Sequence, residues 1–347
     1  MSRIAAIAPV LPDHSYSQSE ITAELAPLIT AEPARRAVLE RMHASSGIGR
    51  RHTALPLERY RDLEGFRQTN AIFVEEGTRL LERALRQALE TAGLRPSDVD
   101  LVFFTSVTGI AAPSIDALLV PLLGLRPDVK RIPSFGLGCV AGAAGLARVD
   151  DYLAGHPGEV AVLLSVELCS LTLQRDDSTI ANFVATGLFG DGATAVVLVG
   201  DDVPSTGPRI AATRSALYPS TGGVIGWNIG GGGFEIVLTA GVADVIAENF
   251  PAGVADFLAS TGNTGVDSYI AHPGGPRVLE AFAEALGEPR ESFARSWDSL
   301  DRVGNLSSSS VLHVLADTIA ADELGDRSLL FALGPGVSAE FVLLEAS

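Results

Sequence analysis

The feature that most limits the fold of this 347-residue chain is a faint internal duplication. A helical stretch ending at Gly93 leads to Val99-Asp100 and an apolar run, and one ending at Gly262 leads to Val266-Asp267 and another. Gly138-Cys139 and Gly304-Asn305 each open several turns of small-residue helix. Gly190-Asp191-Gly192 and Gly334-Pro335-Gly336 each precede a last apolar strand. Three matches in the same order predict two similar α/β halves related by an approximate twofold axis, placed at residues 1–200 and 201–347. Cys139 and Asn305 would then lie at equivalent ends of two central helices, with His272 beside them.

The local pattern agrees. Val99–Thr105, Val160–Val166, Ala193–Val199, Tyr269–Ala271, Ser328–Leu333 and Ala339–Leu344 are short apolar runs with little alternation, as expected of strands covered on both faces. Asn70–Ala92, Cys139–Ala154, Val242–Ser260, Arg277–Leu286 and Asn305–Ala321 read as helices. With 47% hydrophobic residues the chain can build a large core.

Composition also excludes functions. A balance of 25 basic against 42 acidic residues, net −17, repels a phosphate backbone, so nucleic acid is not expected as a partner. No apolar run reaches the roughly 18 residues of a membrane span, and no secretion signal is recognised, which predicts a cytoplasmic protein without membrane insertion. Two cysteines, Cys139 and Cys169, are too few for a disulfide scaffold or a tetrahedral zinc site, and no metal is expected.

Cys139 lies in Phe135-Gly136-Leu137-Gly138-Cys139-Val140-Ala141-Gly142. Glycine costs a helix about 1 kcal/mol relative to alanine, so a run of small residues implies close approach of another backbone. A cysteine on the first turn of such a helix would feel the positive end of its dipole, which favours the thiolate. A lone cysteine also reads as an inert buried thiol; the duplication favours a nucleophile. His272, in Ala271-His272-Pro273-Gly274-Gly275-Pro276, marks an abrupt strand exit, where a scaffold presents functional groups. Close to Cys139 it would pair with the thiolate and donate to a developing oxyanion. Asn305 reads equally as a helix cap and as an amide donor to a thioester carbonyl. Gly187-Leu188-Phe189-Gly190 sets an aromatic on a glycine-rich turn, and Gly334-Pro335-Gly336 forms another tight turn. Between Arg35 and Arg67 eight arginines face four acids, either a landing site for a phosphorylated carrier such as coenzyme A or a solvated face.

Taken together, these motifs resemble the type III polyketide synthases, the chalcone-synthase-like members of the thiolase superfamily. The likeness runs from Ile4 to Leu344 and is densest at Pro133–Gly145, Gly187–Gly192, Ala271–Pro276, Gly304–Ser308 and Gly334–Gly336. It implies an α/β, five-layer αβαβα thiolase-like fold and a homodimer. It also implies acyl-CoA and malonyl-CoA as substrates, with no carrier protein and no cofactor beyond these thioesters. Cys139 would match the nucleophile, and His272 with Asn305 the pair that binds the malonyl carbonyl during decarboxylation. Phe189 and Phe234 resemble gatekeeper aromatics, Arg41, Arg50 and Arg51 would meet coenzyme A, and the 334–336 turn would be scaffold.

Several positions depart from the plant pattern. Ala112 replaces a larger methionine near the expected dimer interface, Cys169 replaces a threonine, and Gly230–Gly233 replaces larger residues beside Phe234. With Thr172, Gly226, Gly232 and Ser307, these are read as cavity positions opened in volume. The stretch Phe135–Tyr152 and the segment Glu167–Gln174 resemble bacterial alkylpyrone and alkylresorcinol synthases, which implies a fatty or medium-chain starter, two or three malonyl or methylmalonyl extensions, and a pyrone or resorcinol product of secondary metabolism. The rival readings are a ketosynthase III making one condensation and a silent acyl-CoA-binding protein of the same fold. His272-Pro273-Gly274-Gly275 stands where the ketosynthase has His-Gln-Ala-Asn.

Overall fold

The structure, a computed structural model, describes residues 2–263 and 265–346. In the first half the strands are β1 (Ser2–Val10), β2 (His14–Ser17), β3 (Arg50–Thr53), β4 (Leu101–Thr105), β5 (Lys130–Ser134), β6 (Val160–Leu168) and β7 (Asp191–Gly200). Its helices are α1 (Gln18–Ile29), α2 (Pro33–Ala44), α3 (Gly65–Ala92), α4 (Ile115–Leu123), α5 (Ala141–Gly155) and α6 (Ile180–Leu188). The second half contributes β8 (Arg209–Leu217), β9 (Ile225–Gly230), β10 (Gly233–Leu238), β11 (Ser268–Ala271), β12 (Arg327–Gly334) and β13 (Ser338–Glu345). Its helices are α7 (Val242–Ser260), α8 (Pro276–Leu286), α9 (Ala294–Val303) and α10 (Ser310–Ala320).

The large sheet runs β11-β12-β13-β8-β1-β7-β6-β4-β5. Its two arms repeat one another. β4 lies parallel to β6, which is antiparallel to β7, which is antiparallel to β1. β11 lies parallel to β12, which is antiparallel to β13, which is antiparallel to β8. β5 extends the first arm and has no counterpart. The arms join where β1 pairs with β8, at Ser2–Ile210 and Arg3–Arg209, so the expected pair of sheets is continuous through a short seam.

Residue parity then builds the layers, because successive strand residues point to opposite faces. Val162, Leu164, Ala195 and Val197 face outward to Leu81, Leu85 and Leu89 of α3. Ala161, Leu163, Val196 and Leu198 face inward to Leu146 and Val149 of α5 and Val311 and Leu315 of α10. The same two helices receive Leu330, Ala332, Val342 and Leu344 from the other arm. Leu329, Phe331, Phe341 and Leu343 face Phe250 and Phe257 of α7 and Phe282 of α8. Helix, sheet, helix, sheet, helix is the order, and α5 with α10 form the middle layer. A Cβ on Gly142 would lie 2.3 Å from the Ser308 carbonyl oxygen, so the two central segments touch backbone to backbone. Among the described residues, no helix is long and apolar enough to cross a membrane.

Candidate active site

Each of the three residues singled out from the sequence sits at the start of an element or just past its end. Cys139 is on a 3-10 turn, Gly138–Val140, immediately before α5, one step earlier than the expected first helical turn. This turn is wedged in place: a Cβ on Gly138 would meet the Pro335 ring at 2.5 Å, and one on Gly334 would meet the Leu137 carbonyl at 2.6 Å. The 334–336 turn is therefore the support of the cysteine's backbone. His272 continues the ladder beyond β11, its N–H donating to the Phe331 carbonyl at 2.9 Å, and the Gly274 N–H turns back to its own carbonyl at 2.9 Å.

Asn305 proves to be a cap as well. Its Oδ1 accepts from the Ser307 N–H at 2.8 Å and from the Ser310 hydroxyl at 3.3 Å. That fixes which end of the amide is oxygen and makes Nδ2 the donor end, with one of its two hydrogens donated to the Gly274 carbonyl at 3.1 Å. The chain of contacts closes through Ser307, a non-glycine residue at φ 49° whose hydroxyl accepts from the Cys139 thiol at 3.6 Å. Strain of this kind concentrates at functional sites. Cys139 thus reaches Asn305 through Ser307, and Asn305 reaches the backbone of the turn that carries His272, with both arms of the sheet contributing.

Burial sets the electrostatics. The Cys139 thiol is pushed up to about 12, with the Ser307 hydroxyl opposing and buried Glu167 adding to the rise. His272 is pushed down to about 3 by desolvation, and its Nδ1 is buried without a partner. In the free site burial thus favours a neutral thiol and a neutral imidazole over the expected ion pair. Glu167, the one carboxylate in an otherwise apolar β6, is raised above its ordinary range by burial and accepts from Thr108 Oγ1 at 2.8 Å, Val107 N–H at 3.1 Å and Ser308 Oγ at 2.5 Å.

A cavity of about 40 Å³ lies alongside, lined by Arg51, Cys169, Thr172, Gln174, Phe189 and Trp227 among others. Cys139, His272 and Asn305 do not line it. Phe189 links the two places, because it lines the cavity while its backbone bridges to Asn305. Phe234 is buried behind, with ring centroids 5.4 Å from Phe66 and 6.3 Å from Trp227.

Three expectations are corrected here. Gly226 and Gly232 do not line the cavity: Gly226 is on β9, and Gly232 is exposed in the β9–β10 turn. Trp227, on β9, lines the cavity in their place; it is a second aromatic, besides Phe234, in this glycine-rich stretch. Arg51 does not reach solvent. β3 alternates, so Arg50 points out and Arg51 is buried, donating to Gln18 Oε1 at 2.9 Å and to the Phe189 carbonyl at 2.7 Å. Arg41 and Arg50 are exposed as a coenzyme A contact requires. Ala112 is exposed beside Ile110, which is 52% exposed, and near edge strand β5, where Ile132 and Phe135 are also bare.

A doubled α/β fold with a cysteine, a histidine and an asparagine gathered where its central helices begin defines a thiolase-like condensing enzyme. Residues 1–203 match the N-terminal domain of chalcone and stilbene synthases, and residues 209–347 match the C-terminal domain. The chain belongs to the chalcone and stilbene synthase family, the type III polyketide synthases, which are acyl-condensing transferases. It is 51% identical to a 1,3,6,8-tetrahydroxynaphthalene synthase of Streptomyces peucetius subsp. caesius, over 98% of this chain and 92% of the other. It is 29% identical to an alpha-pyrone synthesis polyketide synthase-like protein of Mycobacterium tuberculosis, over 99% and 90%. The crystal structure of the 1,3,6,8-tetrahydroxynaphthalene synthase of Streptomyces coelicolor A3(2) superimposes with a TM-score of 0.93 at 28% identity, covering 99% of both chains.

Proposed function

We propose that this enzyme builds an aromatic polyketide from malonyl-CoA alone, malonyl-CoA serving as starter and extender, with a tetrahydroxynaphthalene as product. The observation that carries the reading is the 51% identity, over 98% of this chain, to a 1,3,6,8-tetrahydroxynaphthalene synthase. The arithmetic of a naphthalene agrees: a three-carbon malonyl starter and four two-carbon extensions give eleven carbons, and loss of the starter's carboxyl as CO2 when the rings form leaves ten. The fatty-starter reading with pyrone or resorcinol products stands second; the apolar side of the cavity at Ile21, Leu25 and Leu173 favours it.

In the proposed mechanism the Cys139 sulfur displaces coenzyme A from the starter, its proton leaving on the coenzyme A thiol by way of His272. Because burial disfavours either ion alone, a proton passed from thiol to imidazole, which keeps the net charge at zero, is the activation this site allows. The carbonyl of the next malonyl-CoA lies between the His272 ring and Asn305 Nδ2. Loss of CO2 places charge on that oxygen, which the two donors stabilise. The enolate carbon attacks the acyl-cysteine, frees the sulfur and leaves the lengthened chain on coenzyme A. No base is needed to make the carbanion equivalent, and no metal, cofactor or carrier protein enters. A surface cleft of about 450 Å³, whose lining residues Glu40 and Gly49 directly precede Arg41 and Arg50, would seat the nucleotide. The bare face at Ile110, Ile132 and Phe135 would be covered by a second copy in a cytoplasmic homodimer.

The test is incubation of the pure protein with malonyl-CoA alone and with added acyl-CoAs of rising length, products read by mass spectrometry. An aromatic product from malonyl-CoA alone is expected. Products only with long acyl-CoA would favour the second reading, and demand for a malonyl carrier protein would overturn both.

A further inference from the structure

Arg51 has no coenzyme A phosphate to meet, since it is only 4% exposed. Its position is nonetheless held closely. Its stem packs on Gly304, where a Cβ would lie 3.0 Å from Arg51 Cγ and Cδ, and Nε and Nη1 are committed to Gln18 and to Phe189. The remaining nitrogen, Nη2, is buried without a hydrogen-bond partner. Among the described residues no carboxylate forms an ion pair with this guanidinium. Asp191 acts on it through space, but the Asp191 oxygens are taken by the Ala54 N–H at 2.6 Å, the Ser170 N–H at 2.8 Å and the Ser170 hydroxyl. A guanidinium left buried with an idle donor is an expensive arrangement unless a ligand completes it. This one lines the same cavity as Cys169, Thr172 and Phe189.

We infer that Arg51 is the anion-binding residue of the starter cavity, its Nη2 holding the free carboxylate of a malonyl starter bound through a thioester to Cys139. The inference rests on the malonyl-primed reading above and deepens it. A planar guanidinium with one open donor side suits a carboxylate. The carboxylate must be one that stays through priming and extension. A cation beside a carboxylate about to leave as CO2 would stabilise the ground state and slow its loss, so the extender's carboxylate is the wrong ligand for Arg51. The covalent step is thioester exchange: the Cys139 sulfur bonds to the malonyl carbonyl, the carbon–sulfur bond to coenzyme A breaks, and the cysteine proton leaves on the coenzyme A thiol.

The test compares loading of Cys139 by malonyl-CoA and by hexanoyl-CoA, followed by intact-protein mass spectrometry in an Asn305→Ala background that slows decarboxylation. In Arg51→Gln the ratio of malonyl to hexanoyl loading rates is expected to fall about 10- to 100-fold, the range for a lost charged hydrogen bond. In Arg51→Lys, which keeps the charge but not the fork, a fall of about 3- to 10-fold is expected. An unchanged ratio in either variant, in a parent that loads malonyl, overturns the Arg51 inference alone. If Arg51→Gln fails to fold, the lysine variant decides. A parent that never takes malonyl overturns the inference together with the malonyl-primed reading.

Discussion

The turns that precede α5 and α10 occupy equivalent places in the doubled fold, yet they are held by different forces. The turn at Cys139 is fixed by shape: Pro335 against Gly138, Leu137 against Gly334, Ser308 against Gly142. Its sulfur has one long contact, to Ser307. The turn at Asn305 is fixed by hydrogen bonds. Ser308 bonds Glu167 and, at 2.9 Å, Ser165; Ser309 bonds Thr194 at 2.6 Å; Ser310 bonds the Leu306 N–H at 2.6 Å. The difference suits the proposed chemistry. A nucleophile must keep its lone pairs free, so its backbone is clamped by packing; an amide donor must keep its orientation, so it is wired into a network.

Breaking the first turn chemically should have the largest effect. Cys139→Ala is expected to lower condensation by more than about 10⁴-fold while malonyl-CoA decarboxylation persists, read as product and as released CO2; a covalent acyl adduct on this variant would refute the assignment. Next, Asn305→Ala should cut decarboxylation about 10²- to 10³-fold, the usual cost of a lost oxyanion donor, with acylation of Cys139 continuing. Equal loss of both steps would mean that the amide only builds the turn. Third, Gly142→Ala places a methyl where the Ser308 carbonyl lies, and about 3 kcal/mol of stability should disappear in denaturant unfolding. Little change would show that the shape-held turn yields more easily than its contacts suggest.

The smallest expected effect lies in the pH response. α10 carries His313, buried and pushed down to about 4 from 6.5 by desolvation, its Nε2 3.2 Å from the Ala193 carbonyl. α5 has no histidine. The folded state therefore binds fewer protons than the unfolded one, and stability falls as pH drops below 6.5, levelling off near 4. His313 alone accounts for about 2 kcal/mol between pH 6.5 and 5. His313→Gln should flatten the fall by that amount, judged by slope and not by absolute stability. His43, pushed down to about 4, and His272 act in the same direction and would remain.

What could be read from the sequence follows from how local the signal is. β6, β7, β12 and β13 are apolar on both faces and announce themselves. α7 and the bulk of α3 and α8 were legible from their apolar spacing. β5, Lys130–Ser134, is an exposed edge strand with no apolar run to find, and β8, with two arginines and partial burial, is no clearer. α1 and α4 contain Pro27 and Pro121, which count against a helix until packing overrides them. The cluster of Cys139, His272 and Asn305 was visible because each stands in a rigid, glycine-marked turn. The inward turn of Arg51 depends on which face of β3 is covered, and the wall of the cavity depends on Trp227 crossing from the β9–β10 hairpin to Phe189. Neither is a property of neighbouring residues. Glu167 did leave a trace, one acid in a run of nine otherwise apolar or small residues.

The Phe189 backbone bridges to Asn305, with the Gly190 N–H donating to the Asn305 carbonyl at 2.9 Å and the Asn305 N–H to the Leu188 carbonyl at 2.8 Å. Phe189 and Asn305 are stitched together along the main chain. A displacement of the main chain at Phe189 would therefore be passed to the main chain at Asn305. The ring that lines the cavity and the amide that caps the central turn are thus hung from one strip of backbone and keep a common spacing.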